Sequence, residues 1–155
     1  MSTTCRRYVT PVTRRRQHEK TEASAMRRDW TKIREVLEDI EADCLDEKLS
    51  SLEEKARRLR SLGEESSEED VYYGHLLLAI EAGLVAGVEI DLGVAPPPPW
   101  QYSSTVPRLT MSGHDVLDSM RSSAVWSKLK TIAVEQSLPI TIELIKAVAA
   151  SLVKI

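Results

Sequence analysis

The sequence predicts a mainly α-helical fold with one small β-hairpin and further helices at the C-terminal end. Three observations predict it. Apolar residues recur at three- and four-residue spacing through Trp30, Ile33, Leu37 and Ile40, and again through Leu45, Leu49, Leu52, Ala56 and Leu59. A third helical stretch from Ser67 to Ala82 stops at Gly83 and gives way to Leu84-Val85-Ala86-Gly87-Val88-Glu89-Ile90, which has the β-branched, roughly alternating look of a strand. After Pro107 the helical period returns through Val116, Leu117 and Met120, then Trp126, Leu129 and Ile132.

The elements follow in order. Residues 1–25 hold Arg6, Arg7, Arg14, Arg15, Arg16 and Lys20 among Thr, Gln and Ser, without a hydrophobic period. Such a segment buries too little apolar surface to offset its ordering entropy, which predicts a basic, disordered extension ahead of one domain over residues 26–155. Met26 offers a second start, and an upstream start codon chosen in error accounts for the extension as well as a function does.

Asp29 is placed to cap the first helix, which runs to Ala42, and Gly63 sits just past the second. Ser67-Glu68-Glu69-Asp70 resembles a capping box before Val71, with acids where a helix N-terminus is partially positive. The helix that follows is apolar on most sides through Tyr72, Tyr73, Leu76, Leu77, Leu78 and Ile80, so it should be the most buried of all.

A loop is expected from about Leu92 to Val106. It contains Pro96, Pro97, Pro98 and Pro99, which favour polyproline II and exclude a strand through the run, and then Trp100. A second strand ends at Pro107-Arg108-Leu109-Thr110, after which Thr110 or Ser112 caps the next helix. Pro139 suits the start of a last helix to about Val153, whose face of Ile142, Ile145, Val148, Ala149 and Leu152 either closes the core or forms a homodimer seam. Helix, strand, wing-like loop and strand in this order have the layout of a winged-helix core, followed by C-terminal helices.

The length of 155 residues is that of one domain. No apolar run approaches the ~20 residues of a membrane span, and the first 25 residues lack the apolar segment of a secretory signal, which predicts a cytosolic protein without a membrane partner. Cys5 and Cys44 have neither a CxxC spacing nor an even framework, and read as reduced thiols. No phosphate loop, HExxH, dinucleotide fingerprint or metal-spaced Cys/His set occurs, so no metal or cofactor is expected. Ser112-Gly113-His114-Asp115 contains the residue types of a triad, but neighbours on one helical turn mostly diverge. No catalytic residue is assigned.

Charge is the informative quantity. Between Arg60 and Arg108 there is no Lys or Arg, while Glu64, Glu65, Glu68, Glu69, Asp70, Glu81, Glu89 and Asp91 are all acidic. A cap needs one or two carboxylates, and five precede Val71. Residues 1–34, by contrast, hold ten Lys/Arg against three acids.

Three motifs then point to a family. Met26-Arg27-Arg28-Asp29-Trp30, Tyr73-Gly74-His75-Leu76 leading to Glu81-Ala82-Gly83-Leu84-Val85, and Leu109-Thr110-Met111-Ser112-Gly113-His114-Asp115-Val116-Leu117-Asp118 followed by Trp126 resemble the domain of unknown function 2513 family. The resemblance covers roughly Met26 to Leu152 and implies a small phage or prophage protein, with no catalytic residues to carry over. The departures are the N-terminal extension, the long leucine-spaced second helix and the proline-rich wing.

Two functions follow as expectations. The first is a non-enzymatic phage accessory protein that binds a basic protein through an acidic face of Glu64, Glu65, Glu68, Glu69, Asp70, Glu89, Asp91 and Trp100, in the manner of a counter-defence inhibitor mimicking nucleic acid, for example toward a CRISPR effector. The second is a winged-helix DNA-binding regulator that grips phosphates with Arg14, Arg15, Arg16, Arg27, Arg28 and Arg34. Nucleic acid is the disfavoured partner, because duplex affinity comes largely from neutralising phosphates and the recognition-like helix opens with carboxylates.

Overall fold

A computed structural model describes residues 27–65, 67–92 and 100–153. The extension over residues 1–25 and the tetraproline run lie outside them. The described elements are α1 (Trp30–Glu41), α2 (Leu45–Ser61), α3 (Ser67–Glu81), β1 (Val85–Leu92), β2 (Trp100–Leu109), α4 (Met111–Arg121), α5 (Ser123–Glu135) and α6 (Ile142–Val153). The fold is mainly α with one antiparallel hairpin, as the periodicity predicts. None of the described helices is long and apolar enough to cross a membrane.

Asp29 caps α1, its Oδ1 accepting from the Thr31 N–H at 2.8 Å, and α1 buries Trp30, Ile33, Val36, Leu37 and Ile40. α2 turns Leu45, Leu49, Leu52 and Ala56 inward, and Gly63 follows it at φ +75°. Lys48 ties the two helices through Glu35 at 2.9 Å, which holds the Glu35 carboxyl below the usual carboxylate range. α3 lies across both, burying Tyr72, Tyr73, Gly74, His75, Leu76 and Ala79, with the Tyr72 hydroxyl donating to Asp39 at 2.7 Å. Burial, reinforced by that carboxylate, pushes the Tyr72 hydroxyl far above the ordinary phenol range. α3 buries more side chains than any other described helix, as its composition predicts.

The hairpin corrects the expected loop. β2 begins at Trp100, well before the Val106 boundary that the prolines suggest. Trp100, Tyr102 and Ser104 are half-buried while Gln101, Ser103 and Thr105 are exposed, an alternation that marks a strand and that the neighbouring prolines obscure. Pairing runs from Leu92–Trp100 to Val85–Leu109 with an irregularity between Ala86 and Val88. Gly87 sits there at φ +79°, and a Cβ on it would lie 2.0 Å from the Val106 carbonyl oxygen. Pro107, which has no N–H for the ladder, stands in the unpaired part of β2. The irregularity lets Val85 and Val88, three residues apart, both face the core.

α6 starts at Ile142, with the Thr141 hydroxyl accepting from the Leu144 N–H at 3.2 Å, so Pro139 precedes the cap instead of opening the helix. Ile145 and Val148 are buried against α4 and α5, and Ile142, Leu144, Ala149 and Leu152 pack on the same cluster. The apolar face of α6 therefore closes the core within one chain.

Candidate functional site

The motifs that single out this sequence prove to be joints of the fold. At the first, His75 is 2% exposed and both ring nitrogens are engaged. The Asp29 N–H donates to Nε2 at 2.9 Å, so Nδ1 carries the proton and donates to the Val71 carbonyl oxygen at 2.7 Å. Arg28 and the Trp30 indole both donate to the Ile140 carbonyl oxygen, at 3.1 and 3.0 Å, and the Arg28 guanidinium lies 5.1 Å from the Trp30 ring centre. The Arg-Asp-Trp segment thus joins α1 to α3 and to the entry of α6.

The second joint ties Gly83-Leu84 to Thr110-x-x-Gly113. The Thr110 hydroxyl donates to the Gly83 carbonyl oxygen at 2.6 Å and accepts from the Gly113 N–H at 3.1 Å, capping α4. The Thr110 N–H donates to the Leu84 carbonyl oxygen at 2.9 Å. Gly113 lies so close to that same carbonyl that no side chain fits. Of the two candidates it is Thr110 that caps α4, while the Ser112 hydroxyl turns to Lys146.

The triad-like tetrapeptide does not converge. Ser112 accepts from Lys146 of α6 at 3.1 Å, while His114 lies 4.0 Å from Glu41 of α1. Among the described residues, no three His, Cys, Asp or Glu side chains gather as metal ligands.

What remains is the acidic face around the N-terminus of α3 and along the hairpin. Glu64 and Glu65 are exposed in the turn before α3, and Glu89 and Asp91 are exposed on β1. None of the four has an ion-pair partner among the described residues. Glu68 is exposed but bonded to Lys55 of α2, which lowers its carboxyl below the usual range.

Asp70 accepts from the Trp100 indole at 2.8 Å, and that indole stacks on Tyr73 with centroids 5.3 Å apart and planes 5° apart. Trp100 is therefore a clasp between hairpin and α3, half-buried where the sequence suggests an outward contact residue. Glu69 is a second correction. It is 4% exposed because its place on α3 shares the inward face with Tyr72, Tyr73 and Leu76, and its carboxylate stands 3.5 Å from Arg60.

The sequence reading missed the clasp and the buried carboxylate together. The only trace of the clasp was the Trp100/Tyr102 alternation, and Glu69 sits in a run of acids that gives it no distinguishing mark.

Burial pushes the Glu69 carboxyl above its ordinary value of 4.5, and the Arg60 charge offsets this only in part. A carboxylate raised in the folded state costs stability when charged, and the cost is relieved as pH falls through the raised value. Glu69→Gln is accordingly expected to raise the thermal midpoint at pH 7, by roughly 3 °C for about 1 kcal/mol. The gain should vanish below about pH 4.5, where Glu69 is protonated folded and unfolded alike. Calorimetry of both proteins between pH 3.5 and 7 checks the sign, and a variant less stable at pH 7 would show that the Arg60 contact outweighs the burial cost.

The basic candidates are also placed. Arg34 is bonded to Glu38 at 2.9 Å, Arg28 is committed to Ile140, and Arg27 is exposed at the edge of α3. Arg14, Arg15 and Arg16 lie outside the described residues. The outer face of α3 presents Asp70, Val71, Leu78 and Glu81, without a cation.

Comparison with known proteins agrees with the motifs. The profile of a family described as hypothetical protein (DUF2513) matches residues 27–139. A protein of Haemophilus influenzae, described only as uncharacterised, is 29% identical over 129 residues, which are 83% of this chain and 96% of that protein. No solved structure matches the chain. With its Arg-Asp-Trp, Gly-His and Leu-Thr-x-x-Gly joints all inside or next to the matched span, the chain belongs to the domain of unknown function 2513 family.

Proposed function

We propose that this protein acts by binding another protein, without catalysis, through the acidic face that runs from Glu64 and Glu65 past Asp70 to Glu89 and Asp91. In this reading it is a phage or prophage accessory protein in the bacterial cytoplasm, of counter-defence type. It presents an imitation of nucleic acid to a host complex with a basic groove, for example a CRISPR effector. The observation that carries the reading is one of charge. Residues 61–107 hold eight acids and no Lys or Arg, and six of those acids (Glu64, Glu65, Asp70, Glu81, Glu89 and Asp91) are exposed without an ion-pair partner among the described residues. Such a surface steers toward a basic partner and repels phosphates.

Three helices, a hairpin and a further helix form a winged-helix-like order, which favours the second reading of a DNA-binding regulator. Its cations count against it. Duplex binding commonly draws on six to ten phosphate contacts, whereas Arg28 and Arg34 are held by partners inside the fold. A seam between two copies along α6 is not part of the proposal, because Ile145 and Val148 are already buried within one chain.

The test uses the full chain and a variant carrying Glu64→Lys, Glu65→Lys, Glu89→Lys and Asp91→Lys. A labelled mixed-sequence duplex is titrated across salt, and each protein is used to capture host proteins. The wild type is expected to leave the duplex unbound at about 0.15 M salt and to retain a basic protein that the variant loses. Tight duplex binding by the wild type with a steep salt slope would sink the protein-binding reading in favour of the regulator.

A further inference from the structure

The described chain begins directly over the outer face of α3. Residues 27–30 cross that helix at its middle, held by the Asp29–His75 bond, and a groove opens on either side of them. Toward the N-terminus of α3 lies a groove of about 510 Å³, lined by Arg27, Asp29, Lys32, Ser67, Asp70, Val71 and His75. Toward its C-terminus lies one of about 250 Å³, where Leu78, Glu81 and Ala82 meet Arg28, Trp30 and Ile142. Both have half-buried apolar walls, Val71 in the first and Leu78 and Ile142 in the second.

We propose that residues 1–26 of this same chain fold back across the outer face of α3 and occupy these grooves. Charge complementarity is the first argument. Residues 27–153 carry fourteen Lys/Arg against twenty-two Asp/Glu, whereas residues 1–26 carry six against two. Of the three cations that line the grooves, Lys32 is paired with Glu35, Arg28 is committed to Ile140 and Trp30, and Arg27 is exposed, against Asp29, Asp70 and Glu81. Glu81 of the second groove, and Glu64 and Glu65 in the turn before α3, have no ion-pair partner among the described residues.

Tether geometry is the second argument. Arg16 is eleven residues from Arg27, a reach of up to roughly 36–40 Å at full extension, so the arginine cluster can reach both ends of α3. Tethering also keeps the arm at high effective concentration over the grooves, since it begins beside them. Composition is the third. Tyr8-Val9-Thr10-Pro11-Val12 supplies apolar side chains for the groove walls, and Arg14, Arg15 and Arg16 supply the cations.

The consequence is self-occlusion: the arm covers the α3 end of the acidic surface, and a basic partner has to displace it. The inference shares that surface with the proposed function, but its readout lies within one chain, so either can fail alone.

The test places a nitroxide on Gln17→Cys in the full chain with Cys5→Ser and Cys44→Ser, and reads amide signals by NMR. Signals of Ser67, Asp70, Val71, Leu78 and Glu81 are expected to weaken at least about twofold at low salt, and to recover at about 0.5 M salt as the charges are screened. They should also recover when Arg14, Arg15 and Arg16 are replaced by Ser, with signal dispersion confirming the fold in each spectrum. Weakening confined to residues adjacent to Arg27, and equal with and without the arginines, would overturn the proposal. So would full weakening in a mixture of labelled and separately isotope-enriched chains, which assigns the grooves to the arm of a second copy.

Discussion

Replacing Gly113 by alanine is expected to cost at least about 3 kcal/mol and to lower the thermal midpoint by roughly 10 °C. The added Cβ would lie 2.1 Å from the Leu84 carbonyl oxygen, 3.1 Å from its carbon and 3.3 Å from the Leu109 Cβ. Neither backbone can yield cheaply. The Leu84 carbonyl is held by the Thr110 N–H, and the first turn of α4 is fixed through the Thr110 hydroxyl to Gly83. Relief therefore means pulling α4 off the end of α3, which opens the core around the buried Leu84, Leu109, Val116 and Leu117. Met111→Ala is the control, since Met111 occupies the same turn at 80% exposure and should shift stability by no more than about 0.5 kcal/mol. Urea unfolding of both variants measures the difference, and equal midpoints would mean that α4 does not seat on Leu84 as described.

The second large effect is expected at His75. Truncation to alanine empties a buried site and removes both bonds of the ring, leaving the Asp29 N–H without its acceptor. An unsatisfied donor costs about 1–3 kcal/mol and the cavity adds to it, so a loss of roughly 3 kcal/mol is expected. His75→Phe separates the two contributions, because it fills the site and restores no acceptor. Hydrogen exchange at the Asp29 amide should be slow in the wild type and fast in both variants, while His75→Phe recovers part of the stability. If His75→Ala exchanges slowly at Asp29, the bridge from α3 to α1 is not what holds that amide.

Both effects fall on residues of the family motifs, and this is the main lesson of the site. By sequence Asp29, Gly83 and Thr110 read as helix boundaries, Trp30 as part of a buried face and Arg28 as a candidate phosphate contact, while His75 and Gly113 carry no assigned role. In the fold they satisfy carbonyls and amides at the ends of helices, where four backbone groups at each end need partners. Together they hold the architecture, and the charge pattern around them is a separate property of the surface.

Much of the architecture was legible in the residues. The three- and four-residue spacing in α1, α2 and α4 gives the inward faces, Asp29 and Gly63 bound their helices, and Gly83 takes the left-handed conformation at φ +70° that its position after α3 requires. The acidic face was only partly legible. A run such as Glu64, Glu65, Glu68, Glu69 and Asp70 reads as one cluster, yet a helix turns about 100° per residue and sends its members in different directions. Glu69 points into the core beside Arg60, Asp70 toward Trp100, and Glu68 toward Lys55.

The helices, the hairpin that follows α3, the absence of cations from residue 61 to 107 and the membership of a family are all readable along the chain, because periodicity, caps and composition are local properties. Which acids remain exposed, the clasp of Trp100 on α3 and the pressing of Gly113 on Leu84 arise only on packing. Those facts depend on pairs of residues 9 to 30 positions apart in sequence that packing brings within a few ångströms, and no local pattern encodes such a contact.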